Sequence, residues 1–147
     1  MSDDIQLLVV RTKEQEFLEN GIRRSVFVNE QNVSEEIEFD DHEGDSVHLL
    51  LMRSGTPIGC ARYRWDGRDI KLERLALLKE ERGKGYGKTI MEGILNIVLP
   101  MNPTRIYLHS QTRALEFYRR FGFEPSGETF LEAGIEHISM TYRGKEK

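Results

Sequence analysis

The sequence predicts an α/β (α+β) domain in which a mixed central sheet of about seven strands is flanked by helices. Two patterns carry this prediction. Three consecutive strand-like apolar runs are separated only by short turns, which is typical of an antiparallel meander. Further along, a strand, an amphipathic helix and a strand follow one another, and such a unit joins two parallel strands. The predicted order of elements is β-αα-β-β-β-α-β-α-β-β.

The N-terminal part of the chain is expected to hold the first strand and one long helix. Residues 5–11 form a short apolar run of the strand type. Thr12 is a candidate N-cap, and Gln15 stands where a capping box requires it. The helix is expected over residues 13–30, where Gly21 interrupts it and could split it in two.

The remaining elements follow from the same patterns. Strands are expected over residues 46–53, 57–65, 70–78, 105–109, 123–128 and 136–142. One helix is expected to run from a glycine-rich turn to about Leu99, before Pro100. Another is expected over residues 111–121, with Gly122 at the position where a left-handed residue commonly ends a helix.

Size and charge limit the classes of protein to which the chain can belong. Its 147 residues suit one domain, residues 1–147, of which only 143–147 are expected to fray. A net charge of −4 argues against a nucleic-acid partner, and no apolar run is long enough for a transmembrane helix, so no membrane partner is expected. The acidic residues 1–4 are unlike a signal peptide, and Cys60 lacks a partner for an internal disulfide, which together favour a cytoplasmic protein.

The turn at residues 81–88, Glu-Arg-Gly-Lys-Gly-Tyr-Gly-Lys, has the composition of an anion site. Its alternating glycines let a ligand approach the backbone, and the first N–H groups of the following helix have no partners within the helix. Together with the cations Arg82, Lys84 and Lys88, these N–H groups would best bind phosphate. The alternative is a glycine-rich connector with solvated lysines.

Common phosphate motifs can be compared with this turn directly. A P-loop would need glycine at position 82, and the dinucleotide fingerprint would need glycine at 88 or 90. The pattern that fits is R-x-x-G-x-G, with Arg82, Gly85 and Gly87. It resembles the pyrophosphate-binding motif of the GNAT superfamily of N-acetyltransferases, which use acetyl-CoA.

Further segments support the same resemblance. Residues 114–123 are similar to the A-x-x-F-Y-x-x-x-G-F segment of GNAT proteins, and they follow the first motif in the order that the family requires. The predicted order of elements is that of the GNAT fold. Residues 26–33 and 134–140 resemble segments of the small bacterial ElaA/YjcF-type subgroup, whose acceptor substrates are poorly defined.

The resemblance implies an acetyl-CoA site between two central strands. In the family these strands splay apart after the position of Leu77, the pantetheine arm pairs with the main chain of residues 75–77, and the Leu77 N–H donates to the thioester oxygen. The implied cofactor-binding residues are Leu75, Ala76, Leu77, Arg82, Gly83, Lys84, Gly85, Tyr86, Gly87, Lys88, Gln111, Ala114, Phe117 and Tyr118.

Acetyl transfer to an amine also requires proton movement, because an ammonium cannot attack and a leaving thiolate gains from a proton donor. The resemblance places Tyr118 beside the sulfur as this catalytic donor, whereas spacing alone would make it a core aromatic. Glu73 is the first candidate for the general base, since burial between apolar residues would raise its pKa. The alternative for Glu73 is an ion pair with Arg62 or Arg74. Further candidates are Glu30 and His109, and a water relay or the absence of a dedicated base stays open.

The expected reaction is direct transfer of an acetyl group from acetyl-CoA to a small-molecule amine, by a monomer or a homodimer. No metal is expected, because the histidines lack metal-ligand spacing, and Cys60 is expected to be a small core residue. The acidic residues 32–45 are either a solvated loop or a wall that attracts the cationic amine. The alternatives are a non-catalytic CoA-binding module and a protein N-acetyltransferase.

Overall fold

The structure, a computed structural model, describes residues 4–144. Residues 1–3 and 145–147, which belong to the predicted acidic start and the predicted frayed tail, lie outside the described residues. Within the described part of that tail, the Arg143 N–H donates to the Gly122 carbonyl at 2.7 Å, so this residue is held against the domain.

The described residues form one mixed sheet of seven strands, as predicted. The strands are β1 (Ile5–Val9), β2 (Val47–Arg53), β3 (Thr56–Asp66), β4 (Asp69–Leu77), β5 (Ile106–Gln111), β6 (Phe123–Glu132) and β7 (Ile135–Tyr142). Their order across the sheet is β1-β2-β3-β4-β5-β7-β6. The β4–β5 pair is parallel, because a helix connects these strands, and the other neighbouring pairs are antiparallel.

Strand β6 extends beyond its predicted end at residue 128 to Glu132. A two-residue turn, Ala133 and Gly134, joins it to β7, and both turn residues have positive φ angles of 53° and 76°. This conformation matches the right-handed twist of a tight hairpin, so the strands pair up to the turn.

The α-helices in the described residues are α1 (Lys13–Arg23), α2 (Glu35–Glu38), α3 (Tyr86–Val98) and α4 (Leu115–Arg119). The capping box at the start of α1 is confirmed: the Gln15 N–H donates to Thr12 Oγ1 at 3.1 Å, and the Thr12 N–H donates to Gln15 Oε1 at 3.2 Å. Gly21 does not split the helix. The chain continues from α1 directly into π-helical turns at Arg24–Glu30.

The helix predicted over residues 111–121 is shorter than expected. Gln111 still belongs to β5, and a 3₁₀ turn at Thr112–Ala114 precedes α4. Gly122 has a φ of 97°, as expected for a residue that ends a helix in the left-handed conformation.

The sheet is buried on both faces, and β2 shows this most clearly. Leu49 and Leu51 pack in the larger apolar cluster with Ile90 of α3, whereas Leu50 packs in the second cluster with Ile22 of α1. Alternate residues of a strand point to opposite faces, so each face receives its own leucines. Cys60 is fully buried in the second cluster, and this burial raises the pKa of its thiol. None of the helices in the described residues is both long and apolar enough to span a membrane.

Candidate active site

The parallel strands β4 and β5 diverge in the middle of the sheet. They pair only from Ile70 to Leu72 on β4 and from Ile106 to Leu108 on β5, although β4 continues to Leu77. The divergence was expected after Leu77, and it begins at Glu73. Beyond this point the main chains of β4 and β5 no longer pair with each other, so a ligand can lie between the strands.

A β-bulge in β4 accompanies the divergence. Cys60 pairs with Ala76 and Arg62 pairs with Glu73, so two residues of β4 lie opposite one residue of β3. Arg74 is one of the two, and its φ of 58° is unusual for a residue with a side chain. An extra residue on one strand bends that strand and increases its twist, which accounts for the departure of β4 from β5.

The diverging strands open a cavity of about 800 Å³. The predicted cofactor-binding residues on or next to the strands line this cavity. These are Leu75, Ala76, Leu77, Arg82, Gly87, Gln111, Ala114, Phe117 and Tyr118, together with the predicted base Glu73. Gly83, Lys84, Gly85, Tyr86 and Lys88 do not line the cavity itself.

Two residues at the end of β4 present their main chain to the cavity. The Leu78 N–H donates to the Ile58 carbonyl of β3 at 3.0 Å. Because successive residues of a strand direct their backbone groups to opposite edges, the N–H and carbonyl groups of Leu77 and Leu75 face the open edge. The Leu77 N–H is therefore available as a donor at the place where the resemblance requires one.

The glycine-rich turn leaves a row of backbone donors without acceptors. Gly83 and Gly85 have φ angles of 78° and 88°, which a side chain would strain. No side chain caps α3, and the N–H groups of residues 83–88 have no acceptor among the described residues. Gly87 serves close packing, since a Cβ there would lie 3.0 Å from the Phe117 ring. The turn thus has the donors and the helix terminus of an anion site.

Arg82 does not point towards the phosphate position that was expected. Its guanidinium donates to the carboxylate of Glu30 at 2.8 and 3.0 Å and to the Leu77 carbonyl at 3.0 and 3.2 Å. The hydrogen bond from Arg82 lowers the pKa of Glu30, so this candidate base is held as an ionised partner. Lys84 lies 3.6 Å from Glu81, and Tyr86 packs against the apolar core.

Tyr118 projects from α4 into the diverging region. Its ring makes edge contacts with Phe117 and Phe123, at centroid distances of 5.1 and 6.3 Å. Burial raises the pKa of the phenol to about 12, so the hydroxyl keeps its proton at neutral pH. The hydroxyl has no hydrogen-bond partner among the described residues. A tyrosine with a purely structural role in the core would normally have its hydroxyl hydrogen-bonded.

The Glu73 carboxylate is surrounded by cations. It lies 3.1 Å from Arg62, 3.0 Å from Arg64 and 3.2 Å from Lys71. Burial raises the pKa of Glu73, but the charges of these three cations outweigh burial and lower it. The predicted rise in pKa is therefore wrong, and the ion pair with Arg62, the alternative interpretation, is present.

The acidic residues 32–45 are solvated only in part. Glu35, Glu36, Asp41 and Asp45 are exposed, whereas the other three carboxylates are paired with arginines. Glu38 is buried and lies 2.7 Å from Arg23 and 3.1 Å from Arg74. Asp40 lies 2.8 Å from Arg62 and 3.2 Å from Arg74. Although burial alone would raise the pKa of Asp40, the hydrogen bonds and charge of Arg62 lower it to about 2. These ion pairs attach the segment to the sheet beside the cavity.

Some cavity residues escaped the sequence analysis. Arg64 and Lys71 line the cavity from neighbouring positions of β3 and β4, and Glu132 and His137 line it from β6 and β7. Glu132 was assigned to a connection because β6 was predicted to end too early. Alternation along a longer β6 would have placed Glu132 on the same face as Phe130, which lies opposite His137.

The fold and the open strand edge define a protein of the acetyltransferase type, and comparison with known families establishes this. The family model of the acetyltransferase (GNAT) domain matches residues 10–143. The chain belongs to the GNAT family of N-acetyltransferases. This confirms the predicted fold class and enzyme class.

Known relatives include YjcF, one of the proteins for which the resembled subgroup is named. The uncharacterized protein YyaT of Bacillus subtilis is 41% identical over 123 residues, which cover 82% of this chain and 83% of YyaT. The uncharacterized N-acetyltransferase YjcF of the same organism is 37% identical over 120 residues, which cover 81% of this chain and 86% of YjcF.

Solved structures show the same fold over nearly the whole chain. An acyl-CoA N-acyltransferase from Pseudomonas aeruginosa matches with a TM-score of 0.82 at 28% identity, covering 96% of this chain and 99% of that chain. Escherichia coli ElaA matches with a TM-score of 0.83 at 26% identity, covering 97% of this chain and 100% of that chain.

Proposed function

We propose that this acetyltransferase moves the acetyl group of acetyl-CoA directly to a primary amine of a small molecule. The observation that carries the proposal is the combination of an open β4 edge and an uncapped, glycine-rich start of α3 beside one cavity. Acetyl-CoA has matching groups, since its pantetheine arm carries amides and its pyrophosphate carries negative charge. A GNAT acetyltransferase of Elizabethkingia anophelis, which shares the fold at a TM-score of 0.65 and 17% identity, has been solved with acetyl-CoA bound.

The backbone supplies most of the binding. The N–H groups of residues 83–88 would hold the pyrophosphate, and the main chain of Leu75 would pair with the pantetheine amides. Arg82 contributes by closing the end of β4 through its bonds to Glu30 and Leu77. This arrangement would place the thioester between the two diverging strands.

Two groups would act on the thioester. The Leu77 N–H donates to the carbonyl oxygen as negative charge develops on it during attack by the amine. Tyr118 donates its proton to the departing thiolate, and its protonated state at neutral pH suits this role. An unpartnered hydroxyl in the cavity favours a catalytic domain over a module that only binds CoA.

The acceptor would enter from the side of the cavity opposite the glycine-rich turn. There the acidic segment contributes Ile37, Glu38 and Asp40, the β6–β7 turn contributes Ala133, and the start of β7 contributes Ile135. Because two segments border this side, a small acceptor is favoured over a protein chain. A cytoplasmic location, the absence of a metal, and the choice between monomer and homodimer stay predictions.

A turnover assay tests this function. The protein is incubated with acetyl-CoA and a panel of polyamines, aminosugars, amino-acid amides and short peptides, and release of the CoA thiol is followed. Turnover of a small amine above background hydrolysis is expected. Turnover of peptides alone would favour a protein N-acetyltransferase. Thermal stabilisation by CoA without any turnover would favour the non-catalytic module.

A further inference from the structure

Two histidines and one carboxylate that the proposed mechanism does not use meet at the cavity. His109 Nδ1 lies 3.0 Å from Glu132 Oε1, and His137 Nε2 lies 3.6 Å from Glu132 Oε2. Phe130 packs beside both imidazoles, with ring-centroid distances of 5.0 Å to His109 and 6.1 Å to His137. One carboxylate and one aromatic ring therefore fix the orientation of both histidines.

The hydrogen bond to Glu132 determines which nitrogen of His109 is basic. An ionised carboxylate can only accept a hydrogen bond, so the proton of neutral His109 resides on Nδ1. Nε2 then carries the lone pair, and it has no hydrogen-bond partner among the described residues. His137 differs, since its Nδ1 donates to the Ile135 carbonyl at 2.7 Å and its Nε2 faces Glu132.

His109 also faces the same space as the proposed proton donor. A second cavity of about 40 Å³ adjoins the first, and His109, Tyr118 and Glu73 line both. The Glu73 carboxylate is already paired with three cations, and Tyr118 keeps its proton. Of the three residues that line both cavities, His109 is therefore the one with a lone pair that can accept a proton.

We propose that His109 is the general base of the acetyl transfer and that Glu132 is its positioning residue. This inference rests on the proposed function. His109 Nε2 accepts one proton from the acceptor ammonium, and the freed nitrogen lone pair attacks the thioester carbon. The C–S bond then breaks, and Tyr118 gives its proton to the sulfur. After attack, the nitrogen still carries one proton more than the amide product, and this proton leaves to solvent. Solvent then reprotonates the Tyr118 phenolate, and His109 releases the proton that it accepted to solvent.

Charged and titratable groups surround His109 on several elements. The titratable and charged groups that face it are Arg64 on β3, Lys71 and Glu73 on β4, Tyr107 on its own strand, Tyr118 on α4, Glu132 on β6 and His137 on β7. The hydrogen bond from His109 lowers the pKa of Glu132, which keeps this carboxylate ionised at neutral pH. The ionised Glu132 carboxylate lies 3.0 Å from His109 Nδ1, on the side of the ring opposite the nitrogen that would accept the proton.

Two small amines of different basicity test the role. Ethylamine is an ammonium near neutral pH and needs a base, whereas methoxyamine is already neutral. With His109→Asn, which keeps a donor for Glu132, kcat/KM for ethylamine should fall about a hundredfold, and that for methoxyamine should change little. His42→Asn, a change at an exposed histidine of the acidic segment, is the matched control and should behave as the wild type.

The pH dependence of kcat/KM distinguishes a base from a residue that only supports the structure, because the loss of a purely structural residue would leave the shape of this profile unchanged. The wild-type kcat/KM for ethylamine should level off well below the amine pKa of about 10, because the enzyme removes the proton, whereas that of His109→Asn should keep rising towards this pKa. Glu132→Gln should cause a smaller loss of kcat/KM for ethylamine than His109→Asn, because the base is kept and only the carboxylate that orients its ring is replaced.

Each outcome bears on a definite claim. Equal losses for both amines, or full activity of His109→Asn with ethylamine, would overturn the base assignment while leaving the proposed function intact. Wild-type inactivity with both amines and with the whole amine panel, in the presence of acetyl-CoA, would overturn the proposed function and this role with it. Nitrogen NMR of the His109 ring needs no acceptor, and a neutral ring protonated on Nε2 would also overturn the assignment.

Discussion

Replacing Gly85 by valine tests the phosphate site at its backbone. Gly85 is the N-cap of α3 with a φ of 88°, and a Cβ placed there would meet nothing within 4 Å. The free space lies where the pyrophosphate is proposed to bind. A β-branched side chain would fill that space, and it would also strain the left-handed backbone by about 1–2 kcal/mol.

The two effects can be separated with a matched control. Gly127 has a φ of 77°, also meets nothing within 4 Å, and lies on the irregular part of β6 away from the turn. Gly127→Val should therefore carry a similar backbone strain without touching the phosphate site. Both variants should melt roughly 4–8 °C below the wild type, at about 4 °C per kcal/mol for a domain of this size.

The assay is the rise in Tm produced by CoA. At a concentration of about one hundred times Kd, CoA should stabilise the wild type and Gly127→Val by about 2.7 kcal/mol, or roughly 10 °C. If valine at Gly85 weakens binding at least about a hundredfold, the rise should shrink to about 2 °C or less. An equal rise in Gly85→Val and Gly127→Val would refute the proposed phosphate site.

Three further predictions concern side chains. Tyr118→Phe should lower kcat roughly ten- to a thousandfold with little change in KM for acetyl-CoA or in Tm, and an unimpaired chemical step would remove Tyr118 from the mechanism. Arg82→Ala should raise the Kd of CoA by less than about tenfold in calorimetry, because its charge is shared with Glu30 and is half exposed; complete loss of binding would contradict this. Asp40→Asn should lower the free energy of unfolding by roughly 2 kcal/mol at neutral pH. Since the folded-state pKa of Asp40, about 2, lies below its ordinary 3.8, this difference should vanish as the pH falls through that range, and a difference that persists at pH 2 would exclude the Arg62 ion pair as its cause.

Local signals in the sequence were sufficient for the elements and for the motif turn. The Thr12–Gln15 capping box, the left-handed Gly122 and the glycines of residues 81–88 depend on residues a few positions apart. Their conformations follow from short-range sterics and hydrogen bonding, which are the same in most folds. The antiparallel pairing of β2, β3 and β4 followed from the short turns between them, because short connections restrict strands to antiparallel pairing.

The limits of the sequence are clearest at Gly21 and at the end of β6. Glycine propensity left open a split of the first helix at Gly21, but packing of Ile22 and Val26 against the sheet keeps the helical backbone continuous. The early end assigned to β6 concealed Glu132, and with it the partner of His109. Element boundaries depend on tertiary pairing, which propensity does not contain.

The sequence by itself determined the fold class, the family and the position of the glycine-rich turn. These depend on hydrophobic periodicity and on motif residues that lie a few positions apart in the chain. Only the tertiary structure decided the chemistry of the charged groups. Arg82 meets Glu30 across 52 positions of chain, and Glu73 meets Arg62 across 11. The sign of the Glu73 pKa shift depends on whether burial or neighbouring cations dominate, and both act through distances of a few ångströms that only the folded chain defines.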